Sequence, residues 1–273
     1  MIQSTRAMDT TRVTVLMYHR IGSPRNGGEH RYCVTPERFA SHMQTLAQRG
    51  MRPWPVEGFV AWLEGTGTLS EGSFVLTFDD GFLGVYEHAF PLLSRMGWPA
   101  TVFLVSGLIG RKGAWATRGN AAVENHPLLG RPEILEMARR GFSFHSHSRR
   151  HSDLTQLPSH ALTEELTGAR KDLEDLLGRS VQYLAYPYGR CDERVIEAAR
   201  ACGYTAAFSV QPGFNGRDVD RYRIRRLDVY GTDSASALLR KVTFGSNDGS
   251  WTRSLRYYAG RLGARYRAPA QPD

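Results

Sequence analysis

The stretch SFVLTFDDGF, residues 73–82, joins an apolar run to two adjacent carboxylates. Its apolar half predicts a short buried strand, and Asp79 and Asp80 follow directly before Gly81 lets the chain turn. Neighbouring carboxylates raise each other's pKa, so a folded protein keeps such a pair where it is solvated, caps another group or faces a cation. The remaining sequence has to indicate which of these three environments surrounds Asp79 and Asp80.

Strand patterns followed by helical patterns recur along the chain. Apolar strand-like runs occupy 13–19, 73–80, 99–107, 141–147, 181–189, 204–210 and 222–231, and helical spacing occupies 36–50, 84–97, 160–178, 192–203 and 234–245. This order predicts an α/β fold in which a parallel sheet, with helices outside it, closes into a barrel. Without an internal repeat or a low-complexity linker, we expect a single domain over residues 12–245, an N-terminal tail over 1–11 and a basic C-terminal tail over 246–273.

The composition sets outer bounds on the class of protein. A chain of 273 residues with 41% hydrophobic residues can bury a sizeable core. Three cysteines without CxxC spacing indicate neither a disulfide framework nor a thiolate metal site. The excess of 35 basic over 27 acidic residues gives a net charge of +8, which fits a solvated basic surface and does not indicate a nucleic-acid partner.

The two ends of the chain suggest where the protein acts. The first apolar run is too short for a secretory signal or a membrane span, so we expect a cytoplasmic protein without a cleaved signal. The tail WTRSLRYYAGRLGARYRAPAQPD, residues 251–273, carries five arginines and no acid before Asp273. Such a tail can make a weak contact with a membrane surface or bind a partner, but a frayed basic terminus is the commoner case.

Polar residues follow several of the predicted strands. In a barrel of this kind, catalytic groups lie at the carboxyl ends of the strands. His19 ends the first apolar run, Asp79 and Asp80 end the next, and the histidine-rich stretch FHSHSRRHSDL follows at 144–154. Core packing alone does not explain polar chemistry at successive strand ends.

His147 and His151 are four residues apart, a spacing that lets both imidazoles meet one ion from a helical turn or a compact loop. Alone, this spacing also fits two surface histidines. With a carboxylate from another strand end, two histidines and one aspartate form a common three-ligand set that leaves positions open for water or substrate.

Three motifs together resemble those of the NodB-type polysaccharide deacetylases: TFDDG at 77–81, HSRRH at 147–151 and YPYG at 186–189. The resemblance extends from about Val13 to beyond Arg226. It implies a deformed (β/α) barrel that removes acetyl groups from sugars with a divalent metal ion, zinc being expected and cobalt, nickel or manganese the alternatives. It further implies Asp80, His147 and His151 as the metal ligands and Asp79 as the base.

The chemistry of amide hydrolysis agrees with these roles. The reaction needs a nucleophilic water, stabilisation of an oxyanion and protonation of a poor leaving group. A metal with open positions assists the first two. The paired carboxylates of Asp79 and Asp80 would therefore face a cation, which is the third of the environments considered above.

His19 is the candidate for the acid that protonates the amine. Many family members carry this histidine near the C-terminus, but the last histidine here is His160. A circularly permuted branch, similar to the deacetylases of poly-N-acetylglucosamine biosynthesis, has it in an early YH, which VTVLMYHRIG at 13–22 resembles. The alternative for His19 is a core histidine bonded to a backbone carbonyl.

A second departure from the family pattern lies at Ala185, where most members have an arginine that pairs with the base. The resemblance suggests Arg226 in RIRRLDV as the substitute, although Arg225 stands where the motif has proline, and either arginine could instead be solvated or salt-bridged. The resemblance also implies the backbone N–H of Tyr188 as an oxyanion donor, whereas PYG on its own is simply a good turn.

Aromatic side chains near the mouth of the barrel would bind the sugar. Trp115 is the first candidate, with Tyr18 and Tyr188 behind it, and packing is the alternative for each. We expect structural or exposed roles for the other histidines of this region, namely His145, His126 and His30.

The predicted function is thus a metal-dependent deacetylase of N-acetylhexosamine units in a glycan or glycan precursor. One rival is a metal hydrolase of small cyclic amides on the same barrel. The other is a glycan-binding protein without activity, which would be expected to lack a ligand or the base, yet the sequence retains all of them.

Overall fold

The computed structural model describes residues 12–25, 27–70, 72–113, 126–250 and 252. The predicted N-terminal tail, most of the basic C-terminal tail and Trp115 lie outside the described residues, so the two tail boundaries stay predictions. No helix in the described ranges is both long enough and apolar enough to cross a membrane.

Each of the predicted strands is present in one parallel sheet. Within the described residues, the strands are β1 (Thr14–Tyr18), β2 (Arg20–Ile21), β3 (Cys33–Val34), β4 (Arg52–Pro53), β5 (Ser73–Phe78), β6 (Ala100–Leu104), β7 (Phe142–Ser146), β8 (Tyr183–Ala185), β9 (Ala206–Phe208) and β10 (Leu227–Asp228). The main sheet has the order β10-β1-β5-β6-β7-β8-β9, with β4 paired to β5, and β2 pairs with β3 separately.

The segment around β10 links the two ends of the main sheet. Ile224 forms a parallel bridge with Phe208 of β9. A few residues later, Leu227 pairs with Leu16 of β1 in parallel register. Because this one segment pairs with β1 and also bridges to β9, the sheet curves into the deformed barrel that the sequence predicted, and the fold prediction is confirmed.

The helices surround this sheet. Their bounds are α1 (Pro36–Gln48), α2 (Val56–Leu63), α3 (Phe90–Met96), α4 (Arg131–Arg139), α5 (Ser159–Leu177), α6 (Glu193–Ala201) and α7 (Ala235–Phe244). The helical pattern predicted over 84–97 begins as a π-helical turn at Val85–Ala89 and continues as α3. The sequence reading missed α2 and α4.

The composition of helix α2 explains why the sequence pattern did not predict it. The helix is apolar on nearly every side, with Val56, Phe59, Val60, Trp62 and Leu63 buried, so it lacks the polar face that marks an amphipathic helix. These side chains pack with inward-facing residues of the strands in one apolar cluster. The helix therefore fills one end of the barrel, and the polar residues lie at the carboxyl ends of the strands.

Candidate metal centre

The predicted site residues meet at the carboxyl edge of the sheet. His19 directly follows β1, Asp79 and Asp80 follow β5, and His147 follows β7. The Asp79 N–H donates to the Tyr18 carbonyl at 2.9 Å, so strand pairing continues into the site. Parallel strands thus bring together residues that are far apart in sequence.

The side chains of Asp80, His147 and His151 converge on one point. Asp80 Oδ1 lies 3.5 Å from His147 Nε2 and 3.3 Å from His151 Nε2. One potential ligand atom from each residue lies within 4.8 Å of the others, and all three residues are buried. His147 Nδ1 lies 2.8 Å from the Ala185 carbonyl, so we assign the proton to Nδ1 and the lone pair to Nε2.

The charge states of the group suit a divalent cation. Burial raises the pKa of Asp80, but His151 and the neighbouring histidines offset this and hold the pKa at about 2. Burial lowers the pKa of His147 to about 4, against the opposing effect of Asp79. Near neutral pH the group offers a carboxylate and a neutral imidazole, which are the forms that bind metal.

The surroundings of Asp80 Oδ1 independently test whether a metal ion fits between these side chains. The atom is buried and makes no hydrogen bond within the described residues. A buried oxygen without a donor is costly unless something else compensates its charge. A metal ion between Asp80, His147 and His151 would do so, and one aspartate with two histidines is a donor set typical of zinc and related ions.

Backbone strain is concentrated at this site. Among the described residues, the non-glycine residues with positive φ are Asp80 (73°), Ser148 (65°), His151 (60°) and Tyr188 (58°). Left-handed backbone is unfavourable for side chains with a Cβ and persists where the surroundings enforce it. The HSRRH stretch is therefore a compact loop, in which Ser148 Oγ accepts a bond from the His151 N–H at 3.0 Å.

Gly81 completes the turn after the two carboxylates. Its φ is 77°, and a Cβ built there would lie 2.6 Å from a methyl carbon of Leu104. Only glycine fits both the backbone angle and the contact. The glycine of TFDDG thus allows Asp80 to turn towards the histidines.

The two arginines between the histidines act as anchors. Arg149 Nε donates to Asp172 of α5 at 3.0 Å. The Arg150 N–H donates to Glu165, whose side chain is buried in the same helix. These contacts fix the loop to α5 and leave both imidazoles facing the site.

Asp79 and Arg226 form a bidentate ion pair. Arg226 Nη1 and Nη2 donate to the two Asp79 oxygens at 2.6 and 2.8 Å, and Arg226 Nε donates to the Ser209 carbonyl at 2.9 Å. Both side chains are buried, and Arg226 has no exposed surface. Burial raises the pKa of Asp79, but Arg226 and the nearby histidines bring it below its usual value. Arg226, and not the exposed Arg225, therefore keeps Asp79 ionised.

His19 and Tyr188 border the same pocket, whose volume is about 270 Å³. The His19 ring is half-buried and its centroid lies 4.8 Å from that of Tyr32. Tyr188 is 36% exposed, and its ring centroid lies 4.6 Å from that of His151. Tyr188 has a left-handed backbone, with a φ of 58°, and lines the pocket together with Asp80 and His151.

The prediction of Tyr18 as a sugar platform is wrong. Its side chain is fully buried, its hydroxyl lies 3.0 Å from His42 Nδ1, and its ring packs edge-on against Phe39 of α1. Alternation along β1 explains this, because Tyr18 points to the helix layer with Leu16. Trp115 lies outside the described residues, so its role stays a prediction.

The remaining histidines have structural surroundings or face solvent. His145 is buried, with Nε2 at 3.4 Å from Glu57 of α2, and burial lowers its pKa. His126 is buried, with Nε2 at 3.0 Å from Glu29. His30 is exposed.

Sequence reasoning missed one wall of the pocket. Within the described residues, this wall includes Arg20, Glu29, Arg31, Tyr32, Cys33 and Asp228. Most of it comes from a segment at 20–34 that has no helical or strand periodicity, so no local pattern could have placed it. The one feature of the sequence that could have placed this segment at the pocket is its position directly after His19.

Comparisons with known proteins agree with the fold and place the chain in a family. Residues 66–207 match the family model described as polysaccharide deacetylase. This range includes Asp79, Asp80, His147 and His151, but neither His19 nor Arg226.

Relatives show the same resemblance over longer ranges. A poly-beta-1,6-N-acetyl-D-glucosamine N-deacetylase of Staphylococcus epidermidis is 29% identical over 222 residues, which cover 77% of this chain and 72% of that protein. The structure of IcaB from Ammonifex degensii is similar with a TM-score of 0.69 and 27% identity, covering 80% of this chain and 92% of that chain. The fold also matches Streptococcus pyogenes deacetylase PplD in complex with acetate, with a TM-score of 0.74, 24% identity, and coverage of 85% and 98%.

Proposed function

We propose, since the chain belongs to the polysaccharide deacetylase family, that this hydrolase removes N-acetyl groups from N-acetylhexosamine units of a glycan. The observation that carries the proposal is the buried group of Asp80, His147 and His151 beside the ion-paired carboxylate of Asp79. The names of the S. epidermidis relative and of its equivalents point to β-1,6-linked N-acetylglucosamine as the first substrate to test.

Zinc is the proposed metal, with cobalt, nickel or manganese as alternatives, and Asp80, His147 and His151 would hold it. When bound, such a metal lowers the pKa of a water molecule and polarises the acetyl carbonyl. The protein residues around it would supply the remaining steps.

Asp79 would take the proton of the attacking water. The carboxylate is next to a metal ligand in sequence but points to Arg226, so its oxygens are held in a fixed direction. Because its pKa is lowered, Asp79 is ionised and able to accept a proton near neutral pH.

Tyr188 and His19 would act on the carbonyl oxygen and on the nitrogen of the amide bond that breaks. The Tyr188 N–H would stabilise the negative oxygen that develops on the acetyl carbonyl. His19, on the same pocket, would give its proton to the departing nitrogen, which otherwise leaves as a very basic anion. Release of acetate and a free amine follows from these two contributions.

A substrate panel tests the proposed activity against its rivals. We expect the purified protein to release acetate from β-1,6-linked N-acetylglucosamine oligomers and to leave cyclic imides intact. Ring opening of the imides without acetate release would favour the cyclic-amide hydrolase. Glycan binding without turnover of either substrate class, in a preparation shown to contain metal, would favour the non-catalytic protein.

His19→Gln is expected to slow amide substrates severely and an activated aryl acetate much less, since an aryl oxide leaves without protonation. The measurement is the ratio of mutant to wild-type kcat/KM on both substrates, with metal content checked in each preparation. Equal losses on amide and ester, or none on the amide, would make His19 structural and leave Tyr188 or a water molecule as the proton source.

A further inference from the structure

We infer that Arg31, Tyr32 and Tyr230 form a shelf that binds the sugar unit next to the one being deacetylated. This inference rests on the proposed function and deepens it, because it makes the enzyme selective for oligomers over single sugars. We call these three residues the shelf.

The shelf is an aromatic surface with a cation over it. The ring centroids of Tyr32 and Tyr230 are 6.4 Å apart, at an interplanar angle of 69°. The Arg31 guanidinium carbon lies 5.2 Å from the centre of the Tyr32 ring and 5.6 Å from that of the Tyr230 ring. Arg31 is exposed and both tyrosines are half-buried, so all three residues are partly accessible from solvent.

The shelf continues directly into the reaction site. Arg31 and Tyr32 line the same pocket as Asp79, and the Tyr32 ring is in contact with His19. If His19 faces the departing nitrogen, Tyr32 borders the sugar ring that carries this nitrogen and the unit joined to it. A single N-acetylhexosamine at the metal would leave the outer part of the shelf uncovered.

The chemistry of the shelf fits a sugar. A pyranose has faces of C–H groups that pack on aromatic rings, and a rim of hydroxyl and acyl oxygens that accept hydrogen bonds. The guanidinium of Arg31 has only donors, while the nearby Asp228 carboxylate, also on the pocket, can accept from hydroxyl groups. Aromatic faces with a few convergent polar groups are typical of ligand sites.

The segment that carries Arg31 and Tyr32 is held in place by Glu29. This buried carboxylate is ion-paired with Arg20, accepts the Arg25 N–H at 2.7 Å, and lies 3.0 Å from His126 Nε2. Arg20 belongs to β2 and directly follows His19 in sequence. The ion pair with Glu29 therefore connects this wall of the pocket to the end of β1, where the proposed acid His19 lies.

The Tyr230 side of the shelf is fixed separately. The Tyr230 N–H donates to Asp233 Oδ2 at 2.8 Å, and the Lys241 ammonium lies 4.3 Å from the centre of the ring. At Gly231, an added Cβ would lie 2.0 Å from the Cys33 carbonyl oxygen, which shows how closely the two segments approach. A surface that is ordered before binding loses little entropy when a ligand arrives.

The test compares kcat/KM on a β-1,6-linked N-acetylglucosamine pentamer with kcat/KM on the methyl glycoside of the monomer. Tyr32→Ala is expected to lower the pentamer-to-monomer ratio about tenfold, on the scale of a lost aromatic contact. Tyr32→Phe keeps the ring and should keep the ratio. Tyr86→Ala is the matched control, since Tyr86 is half-buried, stacks on Phe90 and bonds to Glu136 outside the pocket.

A binding measurement separates the shelf from catalysis. In metal-loaded Asp79→Asn protein, we expect Tyr32→Ala to raise the Kd of the pentamer about tenfold by the same reasoning. An unchanged ratio and an unchanged Kd would overturn the shelf, and equal losses on monomer and pentamer would mean that Tyr32 acts only through His19. Wild-type protein that releases acetate from neither glycan would refute the proposed function, and the pentamer Kd would still decide the shelf.

Discussion

His147→Ala and His151→Ala are each expected to lose bound metal and deacetylase activity together. The two imidazoles face Asp80 Oδ1 at 3.5 and 3.3 Å, so removing either leaves two ligands for the ion. Loss of a residue that merely orients a ligand costs about 10- to 100-fold in metal affinity or activity, so loss of a ligand should cost more than about 100-fold. Metal content by elemental analysis and acetate release on the same preparations measure both effects.

His160→Ala is the matched control for these variants. His160 is exposed in the first turn of α5 and lies outside the pocket, so its removal should change neither metal content nor rate. Full metal occupancy in His147→Ala or His151→Ala would contradict the assignment of the site, whatever happened to the activity.

Asp79→Asn is expected to retain metal while turnover falls by about 10²-fold or more, the scale of lost general acid–base catalysis. Asparagine has nearly the same shape but does not take a proton from water near neutral pH. The measurement is kcat on the acetylated oligomer, with metal content and thermal unfolding followed in parallel. A rate within about threefold of wild type would leave Asp79 without the role of a base.

The ion pair requires a second variant, because Asp79→Asn leaves the Arg226 cation buried without its carboxylate. Removing one partner of a buried pair typically destabilises a protein by about 3–5 kcal/mol. The double variant Asp79→Asn/Arg226→Met removes both charges, so we expect it to regain much of the stability and none of the turnover. Recovery of turnover with stability would mean that the single variant was slow only because it was poorly folded.

The arrangement of the strands and the meeting of most candidate site residues could be predicted from the sequence. Apolar runs that end in Asp79, His147 and Tyr186 mark three strand ends, and parallel topology forces such ends to meet. Residue type and spacing indicated His147 and His151 with a strand-end carboxylate as candidate ligands, and the family resemblance singled out Asp80 as that carboxylate. Arg226 was harder to assign, since the residue that it pairs with is 147 positions away and the neighbouring Arg225 has the same chemistry.

Other features depend on tertiary contacts that leave no local pattern. Tyr18 and His19 are adjacent in sequence, yet strand alternation sends the first into the helix layer and the second to the pocket. Tyr32 follows a short 3₁₀ turn held by Glu29, and neither residue belongs to a periodic segment. The left-handed backbone of Asp80 and His151 likewise depends on the surrounding fold, since most aspartates and histidines have negative φ.

The most direct test of the account is the metal dependence of acetate release by the wild-type protein. A chelator should remove about one ion per chain, as a single three-ligand site requires, and acetate release from the N-acetylglucosamine oligomer should be lost with it. Adding back zinc, cobalt, nickel or manganese, one at a time, should restore activity with at least one of them and identify the preferred ion. Full acetate release from demonstrably metal-free protein would contradict the account.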